Sequence, residues 1–287
     1  MTFRTYSETD YDALCAFLIE LNRDGRTHIN WNWARFEWMY EHPEFDRSAE
    51  DRIGLWLEGD RIVGAAIYDM YVGEAFCAAL PEYAALTPAI LDYACRALRD
   101  GSGLAVAICG GSAIELAAAE AAGFEPVEQS ETVMKRELDG LDRAAPPEGF
   151  TIRELDPGED LEKFRWLLWR GFDHGCDRAE FENTEERATR RRRHFDVRLS
   201  LAAVDPAGDY AAYVCLWYAG GTDYAYVEPV CTVPAHRGKG LAGALLSEAL
   251  ARAKALGAER AYVISDLAFY EKLGFETDRR FTFYRKA

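Results

Sequence analysis

Apolar residues recur along this chain with two different periods, and together they predict both helices and strands. Helical spacing predicts amphipathic helices over Tyr11–Leu21 and Asp160–Gly171. Two runs rich in β-branched and aromatic residues, Ala211–Tyr218 and Tyr224–Val233, flank the turn residues Gly220–Asp223. This arrangement predicts a β-hairpin.

The second half of the chain has the clearest order of predicted elements. A long helix over Gly240–Leu256 should end at Gly257, because glycine favours the left-handed conformation of a helix cap. Shorter strands and helices are predicted at Phe150–Glu154, Asn183–Phe195, Arg198–Val204, Ala261–Ile264 and Ala268–Leu273. This alternation is typical of an α/β (mixed α+β) fold, in which helices cover both faces of a mostly antiparallel sheet.

The two halves of the chain share a series of landmarks. Arg4 stands 119 residues before Gly123, and Arg153 stands 121 residues before Gly274. Both glycines belong to a Gly-Phe-Glu sequence. A strand-like segment then closes each half: Glu131–Leu138 in the first and Arg280–Arg285 in the second. Ordered landmarks at nearly equal spacing indicate a tandem duplication.

The segment Asp139–Gly149 separates the two halves. It contains Pro146-Pro147 and glycines near its ends, so it is typical of a linker. We therefore expect two tandem domains of similar fold, spanning residues 1–145 and 146–287.

The net charge of −16 is distributed unevenly. Residues 1–145 hold 12 Lys and Arg against 26 Asp and Glu, whereas residues 146–287 are close to neutral. An acidic chain does not attract nucleic acid or an anionic membrane, so the second half is the better host for an anionic cofactor. The sequence has no long apolar run and no signal-peptide pattern, and we expect a cytoplasmic protein. Its seven scattered cysteines form no CxxC pair, which argues against a metal site.

The segment Arg237–Ala242, Arg-Gly-Lys-Gly-Leu-Ala, follows a predicted strand and opens the long helix. The first N–H groups of a helix lack internal acceptors, and the helix dipole adds positive potential there. Two glycines let the backbone approach a phosphate closely, and Arg237 and Lys239 add charge at the rim. No Ser or Thr follows Gly-Lys, so a Walker-type phosphate loop is excluded.

The run Val230–Ala242 resembles the acetyl-CoA motif of the GNAT N-acetyltransferase superfamily, Arg/Gln-x-x-Gly-x-Gly/Ala. Downstream, Ala268–Phe275 resembles the closing segment of that family. The resemblance covers residues 150–287 well, and residues 1–138 only by architecture. It departs at Ile264–Leu267, where many members carry an Asn.

The resemblance implies a role for each matching position. Acetyl-CoA would be the co-substrate, and the backbone of Val230, Cys231 and Thr232 would hold its pantetheine arm. Tyr270 would protonate the departing thiolate, since a tyrosine with a pKa near 10 is protonated at neutral pH. The pyrophosphate would be bound by the loop and first helical turn: Arg237, Gly238, Lys239, Gly240, Leu241, Ala242 and Gly243.

An amine acceptor must lose a proton before it attacks a thioester, and a carboxylate can accept that proton. Glu228 is the leading candidate, because it interrupts an apolar run and shares the strand face of Val230. A packing role at the rim is the alternative for Glu228. Asp266 is a second candidate for the base, and Tyr226 could relay the proton through water.

The first half lacks the phosphate loop. When the halves are aligned on Pro81 and Pro234, the segment Glu82–Thr87 replaces the loop and contains neither its glycines nor its arginine. Thr87-Pro88 instead predicts an ordinary N-cap and first-turn proline. We expect the first domain to be a non-catalytic copy.

These features predict an N-acetyltransferase acting on the primary amine of a small molecule, in a monomer or homodimer. The acidic first half favours a cationic acceptor. Two alternatives stay open: an acyl-CoA-binding sensory protein without turnover, and an acetyltransferase for protein N-termini or lysines.

Overall fold

A computed structural model of the chain describes residues 1–42, 44–158, 160–182 and 194–287. The helices are α1 (Tyr11–Leu21), α2 (Trp33–Tyr40), α3 (Thr87–Ala97), α4 (Ala113–Ala121), α5 (Leu161–Gly171), α6 (Arg178–Glu182), α7 (Leu241–Leu256) and α8 (Ala268–Glu271). The strands are β1 (Thr2–Thr5), β2 (Gly54–Glu58), β3 (Arg61–Tyr68), β4 (Glu74–Ala79), β5 (Leu104–Cys109), β6 (Glu125–Glu137), β7 (Thr151–Glu154), β8 (Ser200–Val204), β9 (Tyr210–Trp217), β10 (Tyr224–Thr232), β11 (Arg260–Ile264) and β12 (Glu276–Lys286). Most of the predicted helix Asn183–Phe195 lies outside the described residues.

The chain divides into two compact units, and neither of them is one continuous segment. Unit 1 contains Met1–Met134, Ile264–Asp266 and Thr277–Ala287, and unit 2 contains Lys135–Val263 and Leu267–Glu276. The sequence predicts a boundary near residue 145, whereas the units divide ten residues earlier and the last strand belongs to unit 1.

Both units repeat one pattern of strand pairing. In unit 1, β1, β2, β3 and β4 pair in order as antiparallel neighbours, and β5 then pairs parallel to β4. In unit 2, β7, β8, β9 and β10 pair in the same antiparallel order, and β11 pairs parallel to β10. The mixed, mostly antiparallel α/β fold predicted from the sequence is therefore confirmed.

The strand β12 extends the sheet of unit 1 beyond β5. It pairs antiparallel with β5 over six registered positions, from Phe281 opposite Cys109 to Lys286 opposite Leu104. Phe281 and Phe283 are fully buried there. The end of the chain therefore supplies core residues to the unit that begins at its N-terminus.

The core of unit 2 positions the predicted phosphate loop. Helix α7 presents Leu245, Leu246 and Leu250 to the interior, and all three are completely buried. The helix ends at Gly257, whose φ of +114° confirms the predicted left-handed cap. The helix begins at Leu241, directly after Gly240, and the loop 233–240 connects it to β10. Among the described residues, no helix is long and apolar enough to cross a membrane.

Candidate active site

The loop between β10 and α7 needs its two glycines for their backbone conformation. Gly238 has a φ of +74° and Gly240 a φ of +84°, which side-chain-bearing residues rarely adopt. A Cβ atom at either position would meet no described atom within 4 Å. The outer surface of the loop is therefore open, and a ligand can approach the backbone at both glycines.

The first turn of α7 presents free N–H groups beside this loop. The first backbone hydrogen bond of the helix runs from the Ala244 N–H to the Gly240 carbonyl, 3.0 Å away. The N–H groups of Leu241, Ala242 and Gly243 precede that bond and have no acceptor within the helix. No acidic residue stands in this first turn, so the positive end of the 16-residue helix is not neutralised there. An anion is the ligand that this end of the helix favours.

The two basic side chains of the loop contact protein groups. Arg237 Nε donates to the Thr232 carbonyl at 3.0 Å, and its Nη2 lies 2.9 Å from the carboxylate of Asp173. Lys239 Nζ lies 3.0 Å from His236 Nδ1 and 5.6 Å from the centre of the Phe150 ring. Direct phosphate contacts by Arg237 and Lys239 stay a prediction.

The strand β10 has one open side next to the loop. It pairs in parallel with β11 only over Tyr224–Tyr226. In the part of the chain that the structure describes, β11 pairs no further along β10. Val230–Thr232 pair with β9 on the other side, so outward backbone groups of this stretch can bind an extended ligand, apart from the Thr232 carbonyl, which accepts from Arg237 Nε.

Glu228 lies where the pairing of β10 with β9 shifts register, between Val227 and Val230. The carbonyl of Glu228 accepts a hydrogen bond of 2.7 Å from Trp217 Nε1. Glu228, Val230 and Thr232 are partly exposed, whereas Pro229 and Cys231 between them are buried. Burial therefore alternates along this stretch, and Glu228 and Val230 are both among its less buried residues.

Tyr270 lies in the short helix α8 and is 7% exposed. Its ring packs against Phe269 and Phe275, with centroid separations of 4.9 and 5.6 Å. Burial raises the pKa of the Tyr270 hydroxyl above its usual value, and the negative charge of Glu228 raises it further. The hydroxyl therefore keeps its proton at neutral pH, as an acid for a thiolate must.

The thiol of Cys231 is unsuited to act as a nucleophile. Burial raises its pKa to about 12, so it is protonated at neutral pH. A Cβ atom on Gly171 would lie 2.5 Å from the Cys231 Sγ, so the end of α5 packs directly on this thiol. Of the other two candidates, Asp266, the second possible base, is exposed, and Tyr226, the possible relay through water, is buried.

The corresponding segment of unit 1 has a different structure. A short 3-10 helix, Pro81–Leu86, leads directly into α3, and Glu82 forms an ion pair with Arg61. The predicted N-cap at Thr87 is wrong, because Thr87 is already helical and its hydroxyl donates to the Ala84 carbonyl. No glycine occupies this segment, so the open left-handed loop of unit 2 has no counterpart here.

Sequence reasoning missed Gly171, Asp173 and Trp217. Gly171 looks like an ordinary helix end, and nothing in the sequence shows that it faces Cys231. Asp173 has a φ of +63°, which an isolated aspartate does not reveal. The sequence predicts Trp217 only as a core residue of β9. Its contact with Glu228 follows from the register of the β9–β10 hairpin.

Comparison with known proteins agrees with this geometry. Residues 161–275 match the acetyltransferase (GNAT) family. No curated protein sequence matches the chain significantly.

Three solved structures of similar fold cover nearly the whole chain. A tandem GNAT protein from the clavulanic acid biosynthesis pathway, solved without AcCoA, is 18% identical with a TM-score of 0.65, covering 99% of this chain and 98% of that one. A GCN5-related N-acetyltransferase from Sphaerobacter thermophilus is 18% identical with a TM-score of 0.61, covering 99% and 95%. A GNAT-family acetyltransferase from Colwellia psychrerythraea is 13% identical with a TM-score of 0.58, covering both chains completely.

The sequence match, the repeated strand pattern and the glycine loop at the start of α7 all point to one family. Residues 161–275 of this chain belong to the GNAT acetyltransferase family.

Proposed function

We propose that the protein transfers the acetyl group of acetyl-CoA to the primary amine of a small, cationic molecule by direct attack. The open loop of Gly238 and Gly240 at the positive end of α7, beside the unpaired side of β10, carries this proposal. An anionic group next to an extended arm is the chemistry that such a surface fits.

Two segments divide the binding of acetyl-CoA between them. The N–H groups of Gly238–Gly243 bind the pyrophosphate, assisted by the charge of Lys239. The outward backbone groups of Val230, Cys231 and Thr232 hold the pantetheine arm as a neighbouring strand would. This arrangement directs the thioester along β10 towards Glu228.

Two side chains transfer the protons of the reaction. Glu228 accepts a proton from the ammonium group of the acceptor, which frees its nitrogen lone pair. The nitrogen forms a bond to the acetyl carbon while the bond from that carbon to sulfur breaks. Tyr270 donates a proton to the departing sulfur and recovers one from the amide nitrogen through solvent. The products are an amide, free CoA and one proton released to solvent.

In this proposal, unit 1 has no second acetyl-CoA site. Its segment Pro81–Leu86 offers no glycine loop, and its acidic surface attracts a cationic acceptor. Raising the salt concentration should therefore raise the KM of a cationic amine more than that of a neutral one. Equal KM values at low and high salt would contradict this role for the charge.

A thiol-release assay with acetyl-CoA and a panel of amines tests the proposal. We expect CoA release that depends on an added amine, with the acetylated amine detected by mass spectrometry. Tight binding of acetyl-CoA without release for any small amine would overturn the proposal and favour a sensory protein. Release only with peptide N-termini or lysines would favour a protein acetyltransferase.

A further inference from the structure

The side chain of Arg237 joins the end of β10 to the end of α5. Its Nη2 donates to the Gly171 carbonyl at 3.1 Å and contacts the Asp173 carboxylate at 2.9 Å. Its Nε donates to the Thr232 carbonyl at 3.0 Å. We call Gly171, Asp173 and Arg237 the α5 anchor.

The helix α5 ends in a Schellman motif that places Asp173 in an unusual position. The His174 N–H donates to the Trp169 carbonyl at 3.0 Å, and the Asp173 N–H donates to the Arg170 carbonyl at 3.3 Å. The residue at this point adopts the left-handed conformation and is most often glycine. Asp173, with a φ of +63°, therefore occupies a place that glycine would fill with less strain. What glycine lacks is the carboxylate that contacts Arg237.

The α5 anchor also rests on close backbone packing. The carbonyl of Gly171 belongs to the last turn of α5, where carbonyls lack helical partners and cations are favoured. Gly171 is buried against Cys231, which precedes the Thr232 carbonyl that Arg237 also binds. The guanidinium of Arg237 thus holds the end of α5, the end of β10 and the start of the loop in one arrangement.

We propose that Arg237 is a positioning residue, which sets the loop for the pyrophosphate through Gly171, Asp173 and Thr232. This inference rests on the proposed function, since it concerns the same acyl-CoA site. The ion pair itself adds little stability, because both side chains are largely exposed. Its effect is on the placement of the Gly238 and Gly240 N–H groups, to which a bound phosphate is sensitive.

Two substitutions separate positioning from direct phosphate contact, with CoA binding measured by calorimetry. Asp173→Gly should keep or raise the melting temperature while weakening CoA binding about fivefold, the loss expected for one surface ion pair. Arg237→Lys should weaken binding about as much, because a compact ammonium cannot reach three acceptors. Arg252→Lys is the matched control, since that arginine contacts Glu154 and Glu248 away from the loop.

The outcomes also distinguish this inference from the proposed function. If Arg237 contacts phosphate directly, Arg237→Lys keeps its affinity and Asp173→Gly releases the guanidinium and tightens binding; either result overturns positioning. Hydrogen exchange provides a second readout: CoA should protect residues 172–176 in the wild type but not in Arg237→Lys. Absence of CoA binding by the wild type would overturn both the inference and the proposed function.

Discussion

Tyr270 and Glu228 interact electrostatically: burial raises the pKa of the Tyr270 hydroxyl, and the negative charge of Glu228 raises it further. The two groups come from β10 and α8, which are separated by about forty residues of chain. Burial and this charge together keep Tyr270 protonated beside a carboxylate, an arrangement in which two groups can divide donor and acceptor roles. Their assignment as acid and base leads to separate predictions.

Replacing Tyr270 with Phe should lower kcat about 100-fold, the lower range for loss of a general acid. The ring packing is kept, so the affinity for CoA should stay unchanged. Because the pKa of Tyr270 is raised, wild-type kcat should show no alkaline decline from this group below pH 10. Steady-state kinetics against pH measure both effects.

The control for Tyr270 is Tyr218→Phe. The hydroxyl of Tyr218 lies beside Gly257, at the far end of α7 from the loop. An equal loss of kcat in the two variants would contradict an acid role for Tyr270.

Replacing Glu228 with Gln should lower kcat/KM about 100-fold near pH 7, because the ammonium of the acceptor then lacks its proton acceptor. The defect should shrink as the pH rises, since more of the amine is already neutral in solution. Removing this charge should also lower the pKa of Tyr270 towards its usual value. A defect that is the same at every pH would instead assign Glu228 a packing role.

Replacing Phe283 with Ala should destabilise unit 1 by about 3–5 kcal/mol, the usual range for removing a buried phenylalanine. Phe283 is fully buried in β12, opposite Ala107 of β5. Tyr284→Ala is the control, because Tyr284 points to the other, less buried face of the strand. Urea denaturation measures both, and equal losses would contradict the assigned burial.

A fragment of residues 1–145 should fail to unfold cooperatively, because it lacks β12. Adding a peptide of residues 276–287 should restore a cooperative transition, measured by circular dichroism. A stable fragment without the peptide would show that unit 1 does not need its last strand.

Local patterns predicted the elements around the site well. Gly257 marks the end of α7, and the turn Gly220–Asp223 marks the β9–β10 hairpin, because both depend on nearby residues. The pairing of β12 with β5 was not predictable. The alternation of apolar and polar residues identifies a strand, but it does not identify the strand that pairs with it. The contact of Asp173 with Arg237 was also hidden, because it joins residues 64 positions apart.

The central claim is that the loop of Gly238 and Gly240 binds acyl-CoA. Titration calorimetry of acetyl-CoA with Gly240→Ala and Gly208→Ala tests it most directly. Gly208 has a φ of +89° and, like Gly240, an open Cβ position, so the two substitutions are similarly strained. We predict at least about tenfold weaker binding for Gly240→Ala, as for loss of hydrogen bonds to a charged group, and wild-type binding for Gly208→Ala. Equal affinity in the wild type and both variants would contradict the claim.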